Sequence, residues 1–564
     1  MCVLRLTRLL AFVVLACCFS SAHSQELLST QRLVQEERWS ELVERLALLG
    51  NRSAEQEYEY GIALAHLEHW EQAHAALSRG ARLQQGDKRF PIELAGIAFK
   101  QKQNGRAISY LHRALRLDAK DDYANEFLAT LYFLQGNVEA AVKYWNRIST
   151  PKPRIAAQVN ESPLRVRPAL LDHAIAFSSG EAMRLTQLRS TDARLQNLQI
   201  FPSYRIDLVA QPDGGFDSVL RAQELNGFGN TGAEALLRTF RGLPFQEITP
   251  EYDNLRGSAT NVIALARWDA DKRRYAGEIS GPMGQDPQWR YRIGVDVRNE
   301  NWAIRNGFTG PAPVLASLNL RREAGSAEIS RLIGWRGRWL LSAEFSNRDF
   351  RSIVPGSTLT APLLADGFEL KQTAAVQYQI LRAPEHRLEI SSGAGSQAGK
   401  VWSGSSLSFE KLQGWVEARW FPRARGDDFE TVYSARAGKT LGQLPFDELF
   451  ILGLERDNDP ALWMRAHIGT RNGEKGSAPL GKDFFLSSWE TDKNLYSNGL
   501  LTVRLGPFID TGKITDPGGA LGSQKWLTDT GAEARLRVLG VGVALVYGKD
   551  LRTGNNAIYV TLAR

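Results

Sequence analysis

The run Trp289-Arg290-Tyr291-Arg292-Ile293-Gly294-Val295-Asp296-Val297-Arg298 decides the fold. In an extended chain Trp289, Tyr291, Ile293, Val295 and Val297 share one face, while Arg290, Arg292, Asp296 and Arg298 share the other. The same two-residue period sets Leu341, Ala343 and Phe345 against Ser342, Glu344 and Ser346, and Ala534, Leu536 and Val538 against Glu533, Arg535 and Arg537. One such strand is ordinary for a half-buried sheet in water. Repeated from about residue 240 to 564, it is the pattern of a transmembrane antiparallel barrel, with a charged lumen and an apolar outer face. A single β-sandwich holds too few strands to use so long a stretch. Trp289, Trp335, Trp339, Trp402, Trp415 and Trp420 fall at the expected strand ends, where interfacial belts need amphipathic rings. After the first 24 residues no apolar run is long enough to cross a bilayer as a helix, so only a closed barrel satisfies the backbone there.

Residues 1–24 read as a secretory signal peptide: Arg5 and Arg8 without an acid, an apolar run from Leu9 to Phe19, then Ala22-His23-Ser24 at the cleavage positions. Cys2, Cys17 and Cys18 all lie within it, so the mature chain from Gln25 holds neither a disulfide nor a cysteine-ligated metal. Val14-Leu15-Ala16-Cys17 offers lipidation at Cys17 as the alternative processing route. The formal charge of +7 falls to +5 without Arg5 and Arg8, and the remaining Lys and Arg alternate with Asp and Glu. That is no nucleic-acid footprint.

Residues 25–155 carry a period of 34 residues: Ala73, Ala107 and Ala141 are so spaced, and Gly61, Ala95 and Ala129 precede them by twelve. Antiparallel helix pairs need small side chains where backbones approach, with Leu77, Leu111 and Trp145 filling the gaps. The pattern resembles three tetratricopeptide (TPR) repeats closed at Pro153, with a capping pair around Trp39, Leu42 and Leu49. The resemblance implies a surface that binds a peptide or protein partner.

Residues 156–226 read as a small α+β unit. Leu195, Leu198 and Phe201 keep helical spacing up to Pro202; Tyr204–Ala210 and Ser218–Leu225 alternate as strands around Asp213-Gly214-Gly215. With Phe177-Ser178-Ser179-Gly180 and the run Arg194–Phe201, this resembles one polypeptide-transport-associated (POTRA) domain, with Gln199 where that family has a small residue.

Residues 227–564 form the expected barrel. Its last part, with Leu452-Gly453-Leu454, Trp463-Met464-Arg465-Ala466-His467, Trp489-Glu490 and Phe508-Ile509-Asp510-Thr511-Gly512, is similar to the bacterial surface antigen superfamily. The resemblance implies a barrel of about 16 strands that assembles or translocates outer-membrane proteins. It also implies a long extracellular loop that folds into the lumen and sets its arginine, here Arg465, against Glu490 and Asp510. Ala466 and His467 depart from the family's glycine and aromatic, and the chain ends Leu562-Ala563-Arg564 without a terminal aromatic. A guanidinium in a narrow lumen needs such carboxylates on physical grounds too.

No catalytic constellation is present: there is no His-Glu-x-x-His, Gly-x-Ser-x-Gly or phosphate loop, and each of the seven mature histidines reads as structural. No enzyme, cofactor or metal is therefore expected. The expected protein sits in the outer membrane among lipid, with its N-terminal domains in the periplasm recruiting a protein or peptide client for assembly, insertion or translocation. A TPR-barrel conduit for secreted polysaccharide or a surface lipoprotein is the alternative. A positively lined, open lumen favours the conduit; a plugged lumen with a weak seam between first and last strands favours protein insertion.

Overall fold

The computed structural model describes residues 30–305, 307–403, 406–422, 428–455, 457–498, 501–516, 521–538 and 541–563. The expected leader, 1–24, with its three cysteines, lies outside the described residues, as does Arg564. The chain forms two compact units, Met1–Pro153 and Arg154–Arg564. No helix among the described residues is long and apolar enough to cross a membrane.

The first unit is a row of helices: α1 (Trp39–Ala47), α2 (Ala54–His66), α3 (Trp70–Leu83), α4 (Arg89–Lys100), α5 (Asn104–Leu117), α6 (Asp122–Leu134) and α7 (Val138–Trp145). Ser53 opens α2 with a capping box to Gln56, and Asp121 and Asn137 cap α6 and α7 with their side chains. The periodic small residues lie where helices meet: Ala73, Ala95, Ala107, Ala129 and Ala141 are all fully buried. At Gly61 a Cβ would stand 2.5 Å from Leu77 Cγ, so that crossing of α2 and α3 admits no side chain at all.

The second unit begins with a strand the alternation does not announce, β1 (Ile155–Asn160), then α8 (Pro168–Ala174), α9 (Leu185–Leu198), β2 (Ser203–Ala210) and β3 (Phe216–Gln223). The sheet order is β1-β3-β2, with β1 parallel to β3 and β2 antiparallel to it. Helix α9 stops at Leu198 because Gln199 takes a left-handed conformation (φ 55°), three residues before Pro202. Val166, Leu170, Leu195, Leu198, Ile200 and Leu220 make the core between helices and sheet. The unit is bonded to the barrel end: Asn197 donates to the Pro287 carbonyl at 2.7 Å, Arg290 donates to the Asn197 carbonyl at 3.0 Å, and Arg382 pairs with Asp192 at 2.7 Å.

A helix, α10 (Gly232–Phe240), leads into the barrel, and Arg238 ties it to Glu251 (2.7 Å) and Asp253 (2.6 Å). Fourteen long strands follow: β4 (Asn261–Arg267), β5 (Lys272–Met283), β6 (Asp286–Ile304), β7 (Ala316–Ile333), β8 (Gly337–Val354), β9 (Gly367–Ala383) and β10 (Leu388–Trp402). They continue as β11 (Leu407–Trp420), β12 (Phe429–Gly442), β13 (Asp483–Ser497), β14 (Leu501–Thr515), β15 (Leu527–Val538), β16 (Val541–Asp550) and β17 (Asn556–Ala563). With four two-residue segments, Glu247–Ile248, Glu251–Tyr252, Thr470–Arg471 and Glu474–Lys475, they make one closed barrel of 18 segments, in which Lys475 meets Trp302 of β6 in parallel. The expected count of about 16 thus lies between the long strands and the full set; two-residue pairings leave no periodic trace in sequence.

Each long strand from β4 to β17 pairs antiparallel with the next. The ring closes where β17 comes beside Glu247–Ile248. There the contact is made through Glu247–Ile248, a two-residue segment that pairs in turn with β4, as does Glu251–Tyr252. Outward positions are apolar and bare: Ile293, Val295, Leu341, Phe345, Leu545 and Ile558 are exposed, while their neighbours Arg290, Glu300 and Asp550 point inward and are buried. So continuous an apolar exterior requires a hydrocarbon surround. Trp415 lies inside β11, five residues from its end, rather than at the rim expected of it. The tight turns, such as those after β5, β7 and β9, lie at the end that carries the α+β unit, and the long loops lie at the other.

Candidate functional site: a charged loop inside the barrel

The connection from β12 to β13, residues 443–482, is the longest in the barrel, and it runs through the lumen. Its roots are apolar. Leu444, Phe446, Leu449 and Leu480 join Trp302, Leu318, Phe350 and Phe409 in one buried cluster, and Leu462 and Met464 join Phe484, Leu486, Ile514 and Leu527 in another. Burial of such side chains contributes ~1.5–3 kcal/mol each and fixes where the loop enters.

Between these clusters the loop presents charges, and the wall answers each with the opposite sign. Asp457 meets Arg267 of β4 at 2.9 Å and Arg274 of β5 at 2.5 Å. Glu448 meets Lys371 of β9 at 2.9 Å and Lys411 of β11 at 3.4 Å, and Asp447 meets Arg348 of β8 at 3.0 Å. Lys475 reaches Glu300 of β6 at 2.7 Å and the loop's own Asp457 at 2.7 Å. The loop's acids therefore face a wall from β4 to β11 that supplies Arg and Lys.

The opposite wall is acidic. The Arg465 guanidinium grips Asp510 of β14 in a fork, Nη2 to Oδ1 at 2.7 Å and Nε to Oδ2 at 2.9 Å. Its Nη1 donates to Glu490 of β13 at 2.7 Å and to Glu533 of β15 at 3.3 Å. The guanidinium carbon lies 3.7 Å over the Phe508 ring, a cation–π contact in a desolvated setting. Arg465 is 8% exposed and Asp510 fully buried, so the pairing satisfies charges that water does not reach. The three residues singled out from sequence are together in space; Glu533 and the second cation, Arg535, were missed. Arg535 holds Glu490 at 3.0 Å, Asp492 at 2.6 Å and Glu533 at 2.6 Å.

The next two loop residues approach β15 and β16. The Ala466 N–H donates to Asp529 at 2.7 Å, and His467 Nδ1 lies 2.9 Å from the same oxygen. The backbone comes so close to β16 that a Cβ on Gly548 would stand 2.9 Å from the Arg465 carbonyl, which explains a glycine at that strand position. Below the loop remains a cavity of about 1020 Å³, lined by nine Arg and nine Asp or Glu residues. Residues of both edges of the closing junction, Ile263 and Leu265 of β4 and Tyr559 and Thr561 of β17, line that cavity.

No family model matches the chain, and no curated protein sequence matches it. Among solved structures it is similar to BamA from Haemophilus ducreyi lacking POTRA domains 1-3, with 11% identity over 74% of this chain and 86% of that one, at a TM-score of 0.42. It is also similar to CdiB from Escherichia coli, with 13% identity over 73% of this chain and 75% of that one, at a TM-score of 0.47. CdiB from Acinetobacter baumannii is 12% identical over 71% of this chain and 70% of that one, at a TM-score of 0.41.

Proposed function

We propose that the chain is an outer-membrane barrel that assembles, inserts or translocates other polypeptides, with its N-terminal helical repeats recruiting a protein or peptide partner in the periplasm. One observation carries the reading: the lumen is crossed by the chain's own loop, while the wall closes beside β17 through the two-residue segment Glu247–Ile248 rather than through a long strand. A two-residue segment covers little of the eight-residue β17, so this seam opens at small cost, and the N–H and C=O groups it releases are a template for an incoming β-strand. The cavity behind that junction gives a client polar shelter on its inner side and lipid on its outer side.

The Arg465, Glu490 and Asp510 contact acts in this scheme as the lock that keeps the loop tip seated while the junction works. The work is non-covalent. The tight turns and the POTRA-like unit at one end support a periplasmic placement of that end, since outer-membrane barrels keep their short turns there. A polysaccharide conduit gains less support, because the lumen is crossed by the loop and balanced in charge rather than open and basic.

Photo-cross-linkers placed at Ile263 and Val560 test the proposal in cells. They should trap an unfolded outer-membrane β-barrel polypeptide from both sides of the junction. Adducts to polysaccharide alone, or to lipid alone, would remove the protein-assembly reading.

A further inference from the structure

We propose that His467, Asp529 and Asp550 form a binding site for one first-row divalent cation, with Zn²⁺ the best fit, and that the ion ties the loop tip to β15 and β16. These residues offer one imidazole nitrogen and two carboxylate oxygens, all within 4.8 Å of one another. All three are buried, at 1%, 0% and 1% exposure. Zn²⁺ takes nitrogen and carboxylate oxygen ligands at ~2.0–2.2 Å, so ligand pairs end up ~3.5 Å apart, and a contraction of about an ångström closes this set.

Two further observations point to a cation. Asp529 Oδ1 is buried and has no hydrogen-bond partner, while Oδ2 takes both the Ala466 N–H and His467 Nδ1. An idle oxygen on a fully buried carboxylate is costly unless something positive faces it. Moreover, the other acids of this wall have arginines: Asp510 has Arg465, and Glu490, Asp492 and Glu533 have Arg535. Among the described residues no Lys or Arg pairs with Asp529 or Asp550; the only basic group in reach of either is His467, 2.9 Å from one and 3.9 Å from the other. Two buried carboxylates thus share one imidazole, and a divalent ion balances them where a single proton does not.

The surroundings suit an ion as well. Thr309 and Thr553 donate to Asp550 Oδ2 at 2.9 and 2.7 Å, and the Arg552 N–H donates to Oδ1 at 2.9 Å, which fixes the orientation of the carboxylate. Thr553 is exposed, giving a short path from solvent.

The test uses the full chain purified in detergent, with Co²⁺ as a visible-absorbing probe and Zn²⁺ as competitor. One equivalent of Co²⁺ should give d–d bands that Zn²⁺ abolishes. H467Q, D529N and D550N, each checked for heat-modifiable migration, should weaken binding 10-fold or more, and E323Q, at an exposed acid of β7, should not. As a second readout, Zn²⁺ should slow thiol labelling of A466C at least 10-fold, reversed by chelator, and this effect should vanish in A466C/D550N, which keeps the added thiol but lacks the site. Absence of stoichiometric Co²⁺ binding, binding undiminished in whichever of the three variants fold, or labelling indifferent to Zn²⁺ would each overturn the site. The cluster would then be a plain pairing of an imidazolium with two carboxylates.

Discussion

Replacing Arg465 with Ala isolates what holds the loop tip. The substitution removes the fork on Asp510, the 2.7 Å bond to Glu490, the contact with Glu533 and the ring contact with Phe508. Not every acid is then orphaned. Arg535 still binds Glu490 and Glu533, so the uncompensated charge is Asp510 alone, left with the Ser488 hydroxyl and the backbone N–H of residue 465. Removing one partner of a buried pair costs ~3–5 kcal/mol, and this partial compensation puts the loss near ~3 kcal/mol. At ~1.4 kcal/mol per decade, the open state of the loop tip gains roughly two orders of magnitude. The barrel persists, because its ladders run through other residues. The assay is maleimide labelling at A466C, a position now 3% exposed, in the R465A background. Labelling should accelerate by roughly 100-fold, and Lys at 465 should restore protection only in part, since a point charge cannot fork. Unchanged labelling in R465A would refute the reasoning, for it would mean that the apolar clusters alone seat the tip.

Other consequences are more local. Asp457→Ala leaves Arg267, Arg274 and Lys475 facing one another without their shared acid, so the loop should leave the lumen more often and single-channel conductance in planar bilayers should rise. Ala107→Trp forces a ring into a fully buried position between helices; overpacking of ~1–3 kcal/mol or more should lower the melting temperature of the helical unit by circular dichroism, and an unchanged melt would misplace that crossing. Burial holds the Glu93 carboxyl above its ordinary range, only partly offset by the Tyr58 hydroxyl at 3.3 Å. The folded helix therefore binds that proton more tightly than the unfolded chain, so the stabilisation is present below the unfolded value and is lost as pH rises through the folded one. Glu93→Gln should flatten this decline in chemical denaturation between pH 4 and 8; a parallel decline in both proteins would assign it to other groups.

What sequence conveys here follows from the range of the interactions. The alternation of 289–298 needs only neighbours, and it marks β6 with its faces correctly assigned: Arg290 inside, Val295 outside. The 34-residue step of small residues likewise marks helix crossings, since a crossing without room for a side chain demands Gly or Ala. Strand β1 escaped because Ile155–Asn160 is short and is held by a parallel pairing with Phe216–Leu220, some sixty residues on. The helices α8 and α10 escaped too: seven residues in one case and nine in the other give too few turns to show a period. In the loop, the arginine and two of its acids were legible only through a family motif. Asp447, Glu448, Asp457 and Lys475 had no such guide, because irregular backbone carries no period and their partners lie as far as 190 residues away.

The most direct measurement of the central proposal is reconstitution. The full chain is placed in liposomes, an unfolded outer-membrane β-barrel polypeptide is added, and its folding is followed by heat-modifiable migration. Folding should run faster than in empty liposomes, and the gain should disappear when cysteines placed on β4 and β17 are cross-linked and return when the link is cleaved. Folding no faster than in empty liposomes, or a gain indifferent to the cross-link, would contradict a client passing through that junction.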